Sequence, residues 1–172
     1  MYETAEDIQH LQALLNRSIE RAGVFLRASF EMPGHSLSAR QLAHLWQGLQ
    51  TVAFATATKK GDPLVAPIGA LLFHGRFYIP TVASALRTRH VLHRPAISFT
   101  YYQGNDIAVI VHGEASVMRP DDADFVALET FQREMSGSSV QDWGEGVFLY
   151  IVPRTIYTYA RFPDLQIDRG PL

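Results

Sequence analysis

From Thr51 onward the chain is a succession of short β-rich segments separated by turn signals, and this texture constrains the fold more than any other feature. Thr51 to Thr58 alternates Val52, Phe54, Thr56 and Thr58 with the small Thr51, Ala53, Ala55 and Ala57, the period-two pattern of a half-buried strand. Lys59-Lys60-Gly61-Asp62-Pro63 turns the chain and Leu64 to Phe73 returns. His74-Gly75 closes a tight hairpin into Arg76 to Thr81, so three consecutive strands form a meander. Ala96 to Tyr102, Ile107 to Met118, Val147 to Val152 and Ile156 to Tyr159 add segments rich in Val, Ile, Tyr and Phe. Connections this short join antiparallel neighbours. The expectation is a mainly β (α+β) fold: a closed or nearly closed barrel of about six to seven antiparallel strands with peripheral helices.

Helical patterns frame the barrel. Thr4 with Asp7 resembles a capping box, after which Ile8, Leu11, Leu15, Ile19, Ala22 and Leu26 recur at helical spacing until Met32-Pro33-Gly34 breaks the run. Ser38 with Gln41 caps a second helix with the apolar stripe Leu42, Leu45, Trp46 and Leu49. Residues 1–50 therefore read as a two-helix extension and residues 51–172 as the barrel, within one domain; the helices are expected to pack on the barrel or on a second subunit. Ser84 to Leu92 reads as a short helix. Pro120 with Asp121, Asp122 and Asp124 opens another, carrying Phe125, Leu128, Phe131 and Met135 and closed by Gly137-Ser138-Ser139.

Composition removes several function classes. Among 172 residues there is no cysteine, which excludes a thiol nucleophile, disulfides and thiolate metal sites. A formal charge of −2 provides no global field for nucleic acid or an anionic membrane. The N-terminus is acidic and polar where a secretory signal is basic and then apolar, and no uncharged apolar run reaches bilayer-spanning length, so the expected location is cytoplasmic.

The stretch most suggestive of chemistry is Thr81 to Pro95, with three arginines, two histidines and no acid. On a helix beginning near Ser84, Arg87 lies in the first turn beside free backbone N–H groups at the positive end of the dipole. Such groups suit a phosphate, to which Thr81 and Ser84 add hydroxyl donors and Arg87 a planar fork. The competing reading is a solvated basic helix face. His90 and His93 have helical spacing but no neighbouring carboxylate to complete a metal site, and no metal is expected. Gly-x-Ser-x-Gly, Gly-x-Gly-x-x-Gly and the P-loop pattern are missing.

Taken in order, Ala55-Thr56, Gly61-x-Pro63, Pro67-Ile68, Gly75 with Phe77-Tyr78 and Thr81, Ser84 and Arg87 before Pro95, and Val111-x-Gly113-x-Ala115 resemble the pyridoxamine 5′-phosphate oxidase-like superfamily of flavin-binding split barrels, which includes deazaflavin-dependent reductases. The resemblance runs from about Thr51 to Tyr159. It implies cofactor-phosphate contacts at Thr81, Ser84 and Arg87, with Arg89 and His90 in support and His93 and Arg94 solvated. It also implies that the Pro67, Ile68 and Gly69 strand lies along the flavin ring, where Gly69 permits close approach.

The implied protein is a homodimer with FMN, or alternatively a deazaflavin coenzyme, between subunits; Trp143 and Tyr150 are candidates to complete the site or to sit in the core. The implied activity is hydride transfer with a small organic substrate, the cofactor carrying the chemistry, so no catalytic side chain is expected. A non-catalytic flavin- or haem-binding or storage protein is the alternative. The strict pyridoxamine phosphate oxidases carry an arginine on the strand around Pro67 and a C-terminal Arg-x-His; both are missing here, Arg161 being followed by Phe162-Pro163. Vitamin B6 oxidation is accordingly the lesser reading.

Overall fold

The computed structural model describes residues 2–164. Six strands, β1 (Gln50–Ala57), β2 (Pro63–Phe73), β3 (Arg76–Val82), β4 (Ala96–Gln103), β5 (Ile107–Met118) and β6 (Gly146–Ala160), close into an antiparallel barrel in the order β1-β2-β3-β6-β5-β4. The expected barrel is present, with the two C-terminal segments fused into one strand. Pro153 cannot donate to a ladder, so β6 is accommodated there by a register shift: Thr155 faces His112, Pro153 faces Gly113 and Arg154 is the extra residue. At Gly113 a side chain would run into the Val152 carbonyl, so the close approach of β5 to the irregularity requires glycine. The hairpin at His74-Gly75 has positive φ at both residues, 50° and 68°, as a tight two-residue turn demands.

The N-terminal segment departs from the two-helix expectation. α1 spans Ala5–Arg21 and carries the Thr4–Asp7 capping box. It stops at Ala22-Gly23, and a short α2 (Val24–Ser29) follows, with none of its residues buried. Arg27 causes the break to hold: it donates from its side chain to the carbonyls of Ala22 and Glu20, satisfying acceptors that a continuing helix would have used. The buried stripe of α1 is Ile8, Leu11, Leu15 and Ser18. The Ser18 hydroxyl donates to Leu14 and accepts from the Ile156 N–H, docking the helix on β6. α3 (Ala39–Leu45) begins with the Ser38–Gln41 capping box.

Trp46 follows α3 and fills the barrel interior at 1% exposure. Its ring meets Phe77, Phe99 and Tyr101 at centroid distances of 5.0, 6.3 and 5.3 Å, and its Nε1 donates to the Ala70 carbonyl at 3.1 Å. Around it, one continuous core joins α1 and α3 to the inward residues of the strands. A second, smaller core lies outside the barrel, where Leu71, Tyr78 and Phe148 pack on Phe125, Leu128 and Phe131 of α5 (Phe125–Ser136). α5 starts later than expected. Asp122 accepts from the Arg119 N–H, forming a turn ahead of the helix, and Asp124 stands at the cap without a side-chain capping bond. Gly137, at φ 74°, ends α5.

Candidate functional site: a cleft between the free half of β2 and α4

The two edges of β2 are used unequally. On one side Pro63 to Ala70 pairs with β1 throughout; on the other only Leu71 to Phe73 pairs with β3, while β3 continues against β6 from Tyr78 to Val82. Among the described residues the first half of β2 therefore presents one ladder edge without a strand partner, and the barrel is split there. α4 (Leu86–His93) lies across the split, and a cleft of 240 Å³ opens between them. Phe54 and Thr56 form its base, Leu64, Val65 and Ala66 one wall, and Leu86, Arg87 and His90 the other.

Within this frame Arg87 Nη1 donates to Thr81 Oγ1 at 3.1 Å. Thr81 is buried, at 3% exposure, at the end of β3, and Arg87 is half-buried in the first turn of α4. The helix begins at Leu86 rather than near Ser84, since Ala85 is its extended cap and contributes no side-chain capping bond. The Thr88 and Arg89 N–H groups donate to the Ala85 carbonyl, which leaves those of Leu86 and Arg87 to a ligand or to solvent. Thr88 ties the start of α4 to β3 through its hydroxyl, which donates to Val82 O at 2.9 Å.

His90, one turn after Arg87 on the same face, is buried at 7% exposure and shares a 2.9 Å hydrogen bond between Nδ1 and Thr56 Oγ1. Among the described residues no carboxylate lines the cleft. A guanidinium, a hydroxyl, an imidazole and two free N–H groups without an acid suit a phosphate group, so these side chains fit the phosphate of a flavin or deazaflavin.

The other residues singled out from sequence fall in several places. Ser84 is exposed in the turn before α4, and Arg89, also exposed, does not line the cleft. Pro67 is exposed and Ile68 half-buried, both on the split half of β2. The space over Gly69 is taken by Leu49, whose Cδ1 lies 2.7 Å from where a Cβ would stand. Arg94, expected to be solvated, is half-buried, and its Nε donates to Ala57 O at 3.1 Å, holding the end of α4 to β1. His93 is exposed. Trp143 is 46% exposed, not core. Tyr150 points to the outer face of the barrel, paired in register with Tyr78. The Thr56–His90 bond and the apolar wall of Leu64 and Val65 had no signal in the sequence, because the first depends on how α4 packs on β1 and the second on how far β2 peels from β3.

The family model described as pyridoxamine 5′-phosphate oxidase matches residues 39–158. The chain belongs to that family. Solved structures with the same split-barrel fold include a conserved hypothetical protein from Mycobacterium tuberculosis, at TM-score 0.66 and 17% identity over 81% of this chain and 94% of that one. An FAD-binding protein from Mesorhizobium loti aligns at TM-score 0.55 and 19% identity, covering 72% and 93%. An F420 reductase aligns at TM-score 0.52 and 15% identity, covering 65% and 92%. No curated protein matches the chain.

Proposed function

We propose that this family member is a cytoplasmic oxidoreductase that binds FMN or a deazaflavin coenzyme in the split cleft and acts on a small organic substrate. The observation that carries this reading is Arg87, held by its hydrogen bond to Thr81, in the wall of an acid-free cleft, where α4 adds the unpaired N–H groups of Leu86 and Arg87. A flavin-type FAD-binding protein and an F420 reductase among the structures of like fold support the cofactor class.

Arg87, held by Thr81, would take two phosphate oxygens through its fork, and His90, held by Thr56, would face the same anion. The unpaired edge of β2 around Pro67 and Ile68 would offer backbone donors and acceptors to a flat ring, once Leu49 turns aside from Gly69. When bound, the cofactor supplies hydride chemistry; the chain supplies orientation and electrostatics. A second copy of the chain would cover the wall left open by Leu64, Val65 and Leu86, which are 41%, 64% and 50% exposed.

The test is the absorbance spectrum of purified protein, titration with FMN and with F420, and reduction of the bound cofactor. Tight binding with reversible reduction is expected. Binding without any reduction or reoxidation would make the protein a non-catalytic binder, and failure to bind either cofactor would remove the reading.

A further inference from the structure

A second cavity, of 330 Å³, lies on the outer face of the barrel, away from the split. Strand register builds its floor: Tyr78 of β3 faces Tyr150 of β6, which in turn faces Ser116 of β5, so three outward side chains form one row across three strands. The two phenol rings are 5.6 Å apart at 34°. Tyr78 is buried at 3% exposure, and burial pushes its phenol up, against the pull of the nearby Arg76 guanidinium. The cofactor cleft is reached from the other side of β3, because Thr81 has the inward parity of Phe77 and Ile79 whereas Tyr78 faces out.

Charge is distributed along this floor with a direction. Arg76, two residues before Tyr78, lies over the Tyr150 ring at 5.7 Å. At the opposite end, one row beyond Ser116, Met118 leads into the turn that brings Asp122 and Asp124 to the rim. Asp122 already accepts from the Arg119 N–H, whereas Asp124 has no side-chain capping role on α5. Among the described residues Arg76 forms no ion pair with either aspartate, although all three line one cavity. A cation and an anion held apart over an aromatic floor are unsatisfied by each other and complementary to a ligand of reversed polarity. The volume lies within the range of small-molecule sites.

We propose that this cavity binds a small zwitterion whose ammonium and carboxylate stand at opposite ends of an apolar body, the chemistry shared by ω-amino acids and short peptides. The carboxylate meets Arg76, the ammonium meets Asp124, and the body lies on Tyr78 and Tyr150.

The experiment is calorimetric titration of the full chain with 6-aminohexanoate and with the dipeptide Ala–Phe, the sites being located by amide NMR shifts. Saturable binding is expected, with shifts centred on residues 76–78, 116–118 and 150. Hexanoate and hexylamine, each lacking one charge, are expected to bind about tenfold more weakly, as loss of one charged hydrogen bond implies. Arg76→Gln and Asp124→Asn alter exposed side chains and should fold normally. Each should weaken the zwitterion about tenfold, and Arg76→Gln should leave hexylamine unchanged. Stronger binding of Ala–Phe than of 6-aminohexanoate would identify peptides as the source, and the reverse would identify free amino acids. Absence of saturable binding by both probes, equal affinity of the singly charged analogues, or shifts centred on Arg87 would overturn the proposal.

Discussion

Arg87 reaches back from α4 to donate to Thr81 at 3.1 Å, which joins the end of β3 to the first turn of the helix across the split in the barrel. The bond holds the guanidinium beside the unpaired N–H groups of Leu86 and Arg87, so the donor set proposed for the cofactor phosphate is organised before a ligand arrives.

If that set holds the cofactor phosphate, Arg87→Ala should weaken FMN or F420 binding by about tenfold to a hundredfold, the range for a lost charge-assisted hydrogen bond. Fluorescence titration measures it. Arg87→Lys should lose less, since the charge stays while the fork is lost. Equal affinity of Arg87→Ala and the parent protein would remove Arg87 from the site.

Thr81→Val tests positioning. The hydroxyl organises Arg87, so the two substitutions should be non-additive: in the Arg87→Ala background, Thr81→Val should cost measurably less affinity than in the parent. Four titrations complete the cycle, and strict additivity would mean that Thr81 does not act through Arg87.

Trp46→Ala should cost about 3–5 kcal/mol of folding stability, because it empties the centre of the barrel and leaves the Ala70 carbonyl without its indole donor. Urea unfolding checks this. Trp46→Phe should cost less, retaining most of the aromatic packing.

Two glycines should differ sharply. At Gly113 a methyl group would meet the backbone of Val152 and Pro153, which cannot yield without disturbing the β5–β6 ladder; at Gly69 it would meet the end of the Leu49 side chain, which can rotate. Gly113→Ala should therefore destabilise by about 1–3 kcal/mol or more and Gly69→Ala by less, as read by thermal unfolding.

The α1 cap gives a pH dependence of known sign. Burial pushes the Asp7 carboxyl up, but the Thr4 N–H and hydroxyl and His74 outweigh it and hold Asp7 below its ordinary value. A depressed carboxylate contributes stability that is present above its unfolded value and lost as pH falls through the folded one. Stability should fall on acidification below about pH 4, and Asp7→Asn should flatten that part of the profile. An unchanged acid limb in the variant would show that other carboxylates set it.

Much of the fold was legible because it rests on local chemistry. The two capping boxes at Thr4–Asp7 and Ser38–Gln41, the positive-φ turn at His74-Gly75, the alternation of Val52, Phe54 and Thr56 and the Gly137 stop are each decided within a few residues. Departures arose where a side chain took up backbone groups or a neighbouring strand imposed its register. Arg27 ends α1 early, Asp122 turns toward Arg119 and delays α5, and the Gly113 irregularity carries β6 through Pro153.

For the candidate site, residue types left Thr81 and Arg87 between anion donors and a solvated basic helix face, and the ordered resemblance to the family favoured the first. The tertiary structure decided which donors share a cleft. By pairing β2 with β3 over only three residues it opened the split, and by packing α4 on β1 it set His90 on Thr56, turned Arg89 outward and carried Arg94 to Ala57. Helix periodicity fixes which side chains share a face, but only the packing of that helix on the strands decides which face meets the opening.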